Sequence, residues 1–241
     1  GGMLREYVKW DYELRDNQPV EKIVNRALDI AMSEPRGPVY LNLPREVLGH
    51  MVSKERVLPR KRPLGNTVAV PSEIVIEQAA DLIAASKNPL IIAGAIGQRP
   101  GVTKILGSLA ERFALPVIQV GGPSLLSDHP MNLGFSVGEY LPDADLVLVL
   151  ESAVPWIPRN VEPNKEAKLI HLSPDPHYSG LPYRGFEMDV AISGEPLQSI
   201  ELIEKALSAH KGLKSSMIKT RKAKITKAHN EHVTQKKKTM D

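Results

Sequence analysis

Asp145-Leu146-Val147-Leu148-Val149-Leu150 carries the strongest structural signal in this chain of 241 residues. After its aspartate, the stretch is a continuous apolar run without polar alternation. A strand with one solvent face alternates apolar and polar residues, whereas a strand covered on both faces of a parallel sheet does not. The run therefore predicts a strand at the centre of a parallel sheet.

Similar signals lie on both sides of this run, separated by helical patterns and by turns rich in glycine and proline. Strands are predicted at 90–93, 116–120, 167–172 and 190–192, and helices at 72–86, 101–113 and 195–209. Alternation of this kind is typical of a doubly wound, Rossmann-like α/β fold. We predict a central domain over 72–209 with a parallel sheet of about six strands, five of them evident and a sixth suspected.

The first 48 residues predict only one helix, at 19–33, and one strand, at 39–43, after an irregular, partly extended beginning. Such a piece cannot bury enough apolar surface to fold alone. We therefore interpret 1–48 as the C-terminal piece of another domain. Residues 49–71 are polar and contain several prolines, which is typical of an interdomain linker.

Positive charge is concentrated at the C-terminal end. Residues 211–241 carry ten Lys or Arg against two Asp or Glu, which leaves the rest of the chain net negative. Residues 213–233 look helical, but their apolar residues are sparse, so little packing and a frayed end are expected. We interpret 210–241 as a basic linker or tail. Nucleic-acid binding is the less favoured alternative.

The overall composition, 42% hydrophobic and 24% charged, is ordinary for a globular protein. The absence of cysteine excludes disulfides and thiolate metal sites and fits a reducing, cytoplasmic compartment. No apolar run approaches the roughly 20 residues of a membrane span. The sequence contains neither a nucleophile-elbow serine motif nor a phosphate-binding P-loop, and its seven histidines show no metal-binding pattern.

Open parallel sheets bind ligands at the carboxyl ends of their strands. Three predicted strands end in suitable loops, whose candidate cofactor-binding residues are Gly94, Gly97, Gln98, Gly121 and Asp175. The glycines can admit a phosphate group to backbone N–H donors, and the aspartate can hold a ribose. For the two glycine loops a purely structural tight turn is the favoured interpretation, whereas for Asp175 ligand binding and a local turn are equally favoured. No catalytic or metal-ligating residue is predicted.

The order of segments resembles the thiamine-diphosphate-dependent enzyme family that includes acetolactate synthase, benzoylformate decarboxylase and oxalyl-CoA decarboxylase. Three stretches carry the resemblance: Ser33-Glu34-Pro35-Arg36-Gly37-Pro38-Val39-Tyr40-Leu41-Asn42-Leu43-Pro44, Asn88-Pro89-Leu90-Ile91-Ile92-Ala93-Gly94, and Ala144 to Leu150 together with Ile170-His171-Leu172-Ser173-Pro174-Asp175-Pro176. The first resembles the end of the family's pyrimidine-binding domain, and the others resemble strands of its central domain.

The resemblance implies a full-length parent enzyme that uses thiamine diphosphate and Mg²⁺ for carboligation or decarboxylation of 2-oxo acids. The family's activating glutamate and Gly-Asp-Gly metal motif would lie outside these 241 residues, so this chain alone is expected to bind no thiamine diphosphate and to be inactive. It further implies contacts with the parent's other domains, a homo-oligomer and no membrane association.

Central domains of this family carry FAD, an ADP-type nucleotide or no ligand. The stretches corresponding to the family's FAD-binding motifs read Leu133-Gly134-Phe135-Ser136 and Glu151-Ser152-Ala153-Val154, and both depart from the family pattern. The favoured role is therefore structural, with nucleotide binding as an open possibility. The alternative function is a stand-alone NAD- or FAD-binding module.

Overall fold

The computed structural model describes residues 2–51, 65 and 68–240. The chain divides into two compact units, Gly1–Val68 and Ala69–Asp241. Most of the predicted linker at 49–71 lies outside the described residues.

The N-terminal unit is a small strand–helix–strand arrangement. It contains β1 (Trp10–Glu13), α1 (Val20–Met32), β2 (Val39–Asn42) and the short α2 (Arg45–Leu48). β1 and β2 pair in parallel. The predicted helix and strand are confirmed, and the extended part of the beginning is a strand at 10–13. Trp10 and Tyr12 stack on one another there, with ring centroids 5.4 Å apart, so the strand is stabilised by a same-face aromatic pair rather than by burial.

The helices that precede and follow the sheet of the central unit lie where the sequence predicts them, with bounds that agree to within two residues. Its elements are α3 (Glu73–Ala85), β3 (Pro89–Ala93), α4 (Val102–Phe113), β4 (Val117–Gln119), β5 (Leu146–Leu150), β6 (Lys168–Ser173), β7 (Val190–Ser193) and α5 (Pro196–Ala209). The five strands form one parallel sheet in the order β4-β3-β5-β6-β7. Among the described residues this sheet has five strands rather than about six, and an isolated bridge joins Val117 to Asn132.

The core lies around β3 and β5, in which every residue is buried. Ile91 of β3 lies opposite Leu148 of β5, and both are 1% exposed. α5 packs against both α3 and α4, so these three helices form one layer. The segments that join β4 to β5, β5 to β6 and β6 to β7 contain no α-helix. Because parallel crossovers are right-handed, these irregular segments cover the other face of the sheet.

A long basic helix, α6 (Ser215–Met240), follows the sheet. The helix is as predicted, but the expectation that it packs little is wrong. Ile225 is 6% exposed and belongs to the core, and Arg221 is 5% exposed. The guanidinium of Arg221 donates hydrogen bonds to the carbonyl oxygens of Ile83, Ser86 and Phe113. These carbonyls lie at the C-terminal ends of α3 and α4, where the helix dipole favours a cation.

Candidate functional site

The strand order identifies the place where this sheet would bind a ligand. From β3 the chain crosses to β4 on one side, whereas β5, β6 and β7 are added on the other side. The sheet therefore has its topological switch point between β3 and β5. Doubly wound sheets bind ligands in the crevice outside the carboxyl ends of the two strands at this point. Here that crevice lies between the loops that follow Ala93 and Leu150.

Backbone hydrogen bonds hold these two loops together. The amide of Gly94 donates to the carbonyl of Leu150 at 2.8 Å, and the amide of Ala95 donates to the carbonyl of Glu151 at 2.8 Å. Ala95–Gln98 then forms a single 3₁₀ turn before α4. The ladder between β3 and β5 thus continues past the ends of both strands, which narrows the crevice.

An ion pair crosses the same point. Arg99 Nε donates to Glu151 Oε2 at 2.6 Å, and Arg99 Nη2 donates to Glu151 Oε1 at 2.5 Å. The side chain of Glu151 is 9% exposed and that of Arg99 21%. The two parallel bonds form the fork geometry that guanidinium and carboxylate prefer. Neither residue is among those predicted, although Arg99 lies in the predicted glycine turn and Glu151 directly follows the most apolar strand.

Gly94 and Gly97 are required by contacts within the protein itself. A Cβ atom at Gly94 would overlap the carbonyl oxygen of Glu151, and one at Gly97 would overlap the carbonyl oxygen of Pro123. The space that each glycine leaves is therefore filled by the protein's own backbone. This geometry supports the interpretation of the loop as a tight structural turn.

The other three candidate residues are not brought together. Gln98 is exposed at the end of the 3₁₀ turn. Gly121 has a φ of +84°, with no atom within 4 Å of an added Cβ, so it is the one candidate glycine with free space beside it. Asp175 accepts hydrogen bonds from the backbone N–H and the hydroxyl of Ser179, both at 2.7 Å. Its carboxylate is thus engaged in a local turn.

A second arginine lies at the carboxyl ends of β5 and β6. Arg184 donates to the carbonyl oxygens of Ser152 and Ala153, at 3.3 and 3.2 Å, and to Nδ1 of His171 at 2.8 Å. Its guanidinium carbon also lies 5.1 Å from the ring centroid of Tyr178. Arg184 therefore ties the loop after β5 to β6.

Burial perturbs the titration of two rings in this cluster. Desolvation, followed by the nearby charge of Arg184, lowers the pKa of His171 to about 3. Because Nδ1 accepts from Arg184, the ring proton resides on Nε2, which is buried and has no hydrogen-bond partner among the described residues. Burial raises the pKa of Tyr178 to about 12. Both rings are neutral at pH 7, so they do not supply charge to the crevice.

Another concave region lies at the opposite edge of the sheet. A cavity of about 220 Å³ is lined by α6 and by residues at the amino end of β3, including Pro89, Tyr140 and Ile225. This edge is not where doubly wound sheets place their ligands. The switch point therefore remains the candidate site.

Within the described residues, no group of three His, Cys, Asp or Glu side chains is placed to hold a metal ion. The helices of the described part also include none that is long and apolar enough to span a membrane.

Comparisons with known proteins agree with this architecture. Residues 76–203 match the family described as "Thiamine pyrophosphate enzyme, central domain". The chain is 28% identical over 215 residues to the "Probable acetolactate synthase large subunit" of Methanocaldococcus jannaschii, a match that covers 80% of this chain and 35% of that protein. It is also 28% identical over 159 residues to 2-hydroxyacyl-CoA lyase 1 of Dictyostelium discoideum, covering 63% of this chain and 27% of that protein.

A solved structure shares the fold. The benzoylformate decarboxylase of Polynucleobacter necessarius superposes with a TM-score of 0.68 at 24% identity, covering 83% of this chain and 38% of that chain. The chain thus spans about a third of the length of the curated relatives it matches over most of its own length.

Proposed function

Because this chain belongs to the family of thiamine pyrophosphate enzyme central domains, we propose that it forms the middle of an acetolactate-synthase-like enzyme. The full-length protein would use thiamine diphosphate for the carboligation or decarboxylation of 2-oxo acids. The observation that carries the proposal is the family match over 76–203, which coincides with the five-stranded parallel sheet of the central unit.

We propose that this part of the enzyme has a structural role. We expect this chain alone to bind no thiamine diphosphate, because the sequence contains no Gly-Asp-Gly stretch. Coenzyme and Mg²⁺ would be held by other parts of the parent protein. The rigid central sheet would space and orient those parts, which matches its almost complete burial around β3 and β5.

The proposal extends to the partners of the chain. The N-terminal unit has several exposed apolar residues. Leu28, Met32 and Leu48 are 41–53% exposed, and such residues suit packing against further parts of the parent protein. We propose a homo-oligomeric enzyme located in the cytoplasm.

Two preparations test this function: the 241-residue chain alone, and the full reading frame of the parent gene. Isothermal titration calorimetry with thiamine diphosphate and Mg²⁺ should detect binding only to the full-length protein, and only that protein should consume pyruvate or benzoylformate. The proposal fails if the isolated chain turns over either substrate. It also fails if the parent reading frame encodes no Gly-Asp-Gly motif and the full-length protein does not bind the coenzyme.

A further inference from the structure

We propose that Glu151 is a built-in counter-ion that occupies Arg99 at the switch point and keeps nucleoside diphosphates out of the central unit. Glu151 would therefore determine whether this sheet is open or closed to nucleotide phosphates. This inference concerns the central unit alone and is independent of the chemistry of the parent enzyme.

The first argument is the saturation of Arg99. Its Nε and Nη2 atoms donate to the two carboxylate oxygens of Glu151, at 2.6 and 2.5 Å. A phosphate group would need this same pair of donors for bidentate recognition. The carboxylate therefore takes the place on the guanidinium that a diphosphate would take.

The second argument is the backbone of the two loops. Glu151 has a φ of +48°, a left-handed conformation that is uncommon for residues other than glycine, asparagine and aspartate. Its carbonyl accepts a hydrogen bond from Ala95 at 2.8 Å and fills the space beside Gly94. The chain thus accepts backbone strain at a position where a large acidic side chain closes the crevice.

The third argument is electrostatic. Displacing Glu151 from Arg99 would leave a carboxylate that is 9% exposed without its partner and beside an incoming diphosphate of the same sign. The second cation at this edge, Arg184, is already bound to the carbonyls of Ser152 and Ala153 and to His171.

The test compares Glu151→Gln with the wild-type chain by isothermal titration calorimetry, using ADP and inorganic pyrophosphate as probes. Glutamine keeps the size of the side chain but removes the charge, so the carboxylate that accepts from Arg99 Nε and Nη2 is lost. We expect ADP to bind the variant at least about 100-fold more tightly than the wild type. In the wild type, binding would leave the buried carboxylate of Glu151 without its partner, and the variant avoids this cost. The gain should weaken with added salt, and pyrophosphate should show whether the phosphates alone suffice.

Two matched controls define the mechanism. Glu162→Gln removes one negative charge from an exposed residue of the same unit and should not change binding. The double variant Arg99→Gln/Glu151→Gln lacks the cation and should lose the gain. Should Glu151→Gln not fold, Glu151→Asn serves the same purpose, because asparagine tolerates a positive φ and relieves the backbone strain.

Three results would overturn the proposal. One is tight ADP binding by the wild-type chain. Another is a folded neutral variant at position 151 that binds ADP no better than the wild type. The last is a gain that persists in the double variant, since the anion would then bind elsewhere.

Discussion

The two units of this protein contain the same kind of strand–helix–strand element and differ in what covers it. In the central unit, every residue of β3 and β5 is buried. In the N-terminal unit, no residue of β1 or β2 is buried, although the two strands pair in parallel over four residues. The difference teaches that strand pairing alone does not make a parallel sheet stable. Stability requires cover on both faces.

The helices repeat this contrast. α1 buries only Ala27, whereas α4 of similar length buries six residues. Three apolar side chains of α1, those of Val20, Leu28 and Met32, remain 39–42% exposed. Apolar area that stays in water contributes nothing to folding free energy, so we expect the N-terminal unit to be much the less stable of the two.

The sharpest test of the contrast substitutes one leucine in each unit. Leu148→Ala, in the middle of β5 and 1% exposed, should lower the free energy of unfolding by about 3–5 kcal/mol, because it leaves a cavity in the core. Leu41→Ala, in the partly exposed β2, should cost about 1 kcal/mol or less. Urea unfolding should be followed for Leu148→Ala by the fluorescence of Trp156 in a Trp10→Phe background, and for Leu41→Ala by the fluorescence of Trp10 in a Trp156→Phe background. Equal losses in the two variants would show that the N-terminal unit is as well covered as the central one.

The next largest effect concerns the attachment of α6. Arg221→Ala removes the donors that satisfy three carbonyls at the ends of α3 and α4. We expect a loss of about 2–4 kcal/mol in the free energy of unfolding. Lys222→Ala is the control, since Lys222 is 47% exposed and pairs only loosely with Glu111 at 3.6 Å. If both variants unfold at the same urea concentration, the hydrogen bonds of Arg221 to α3 and α4 do not stabilise the protein.

A smaller loss of stability should appear on acidification, because the central unit buries the imidazole of His171. The described N-terminal unit has no buried histidine. The pKa of His171 is about 3 in the folded protein and about 6.5 in an unfolded chain. Below pH 6.5 the unfolded state therefore binds a proton that the folded state does not. The contribution of the neutral His171 ring to the free energy of unfolding is complete above pH 6.5 and is lost as the pH falls toward 3.

The slope is about 1.4 kcal/mol per pH unit, so about 2 kcal/mol should disappear between pH 6.5 and 5. Urea unfolding at several pH values measures it. His171→Gln should flatten the profile by this amount, and replacement of the exposed His177 should not. An unchanged slope in His171→Gln would contradict the assignment.

The smallest effect is expected from the ion pair of the N-terminal unit. Arg5 Nε donates to Asp11 Oδ1 at 2.9 Å, but the side chain of Arg5 is 71% exposed. Exposed pairs contribute little, because water and salt screen them. Arg5→Gln should leave the melting temperature unchanged within error, measured by differential scanning calorimetry. A clear drop would mean that this unit depends on its surface charges more than on its partial core.

Much of the fold could be predicted because buried strands have a direct signature in sequence. Leu146–Leu150 and Pro89–Ala93 are apolar without interruption, so their position in the middle of a parallel sheet was readable. β1 was not assigned as a strand, because its alternation of Trp10 and Tyr12 with Asp11 and Glu13 is only four residues long. Arg221 and Ile225 were not assigned to the core, since the apolar residues of α6 that pack there, such as Ile218 and Ala228, are widely spaced among lysines.

The candidate site was predictable in its location and not in its contacts. Glycines and polar residues after predicted strands pointed to the carboxyl edge, where Gly94 and Gly97 indeed lie. Arg99 and Glu151 are 52 positions apart in the chain, so no local pattern could indicate that they form a pair.

By itself, the sequence determined the strand and helix succession, the parallel arrangement and the family, because apolar runs, turn residues and segment order are local or near-local properties. Tertiary structure alone decided which residues meet: that the protein's own backbone fills the spaces beside two glycines, that Glu151 neutralises Arg99, and that Arg221 closes two helices. The physical reason is that side-chain partners and desolvation depend on distances in space, which sequence separation does not specify.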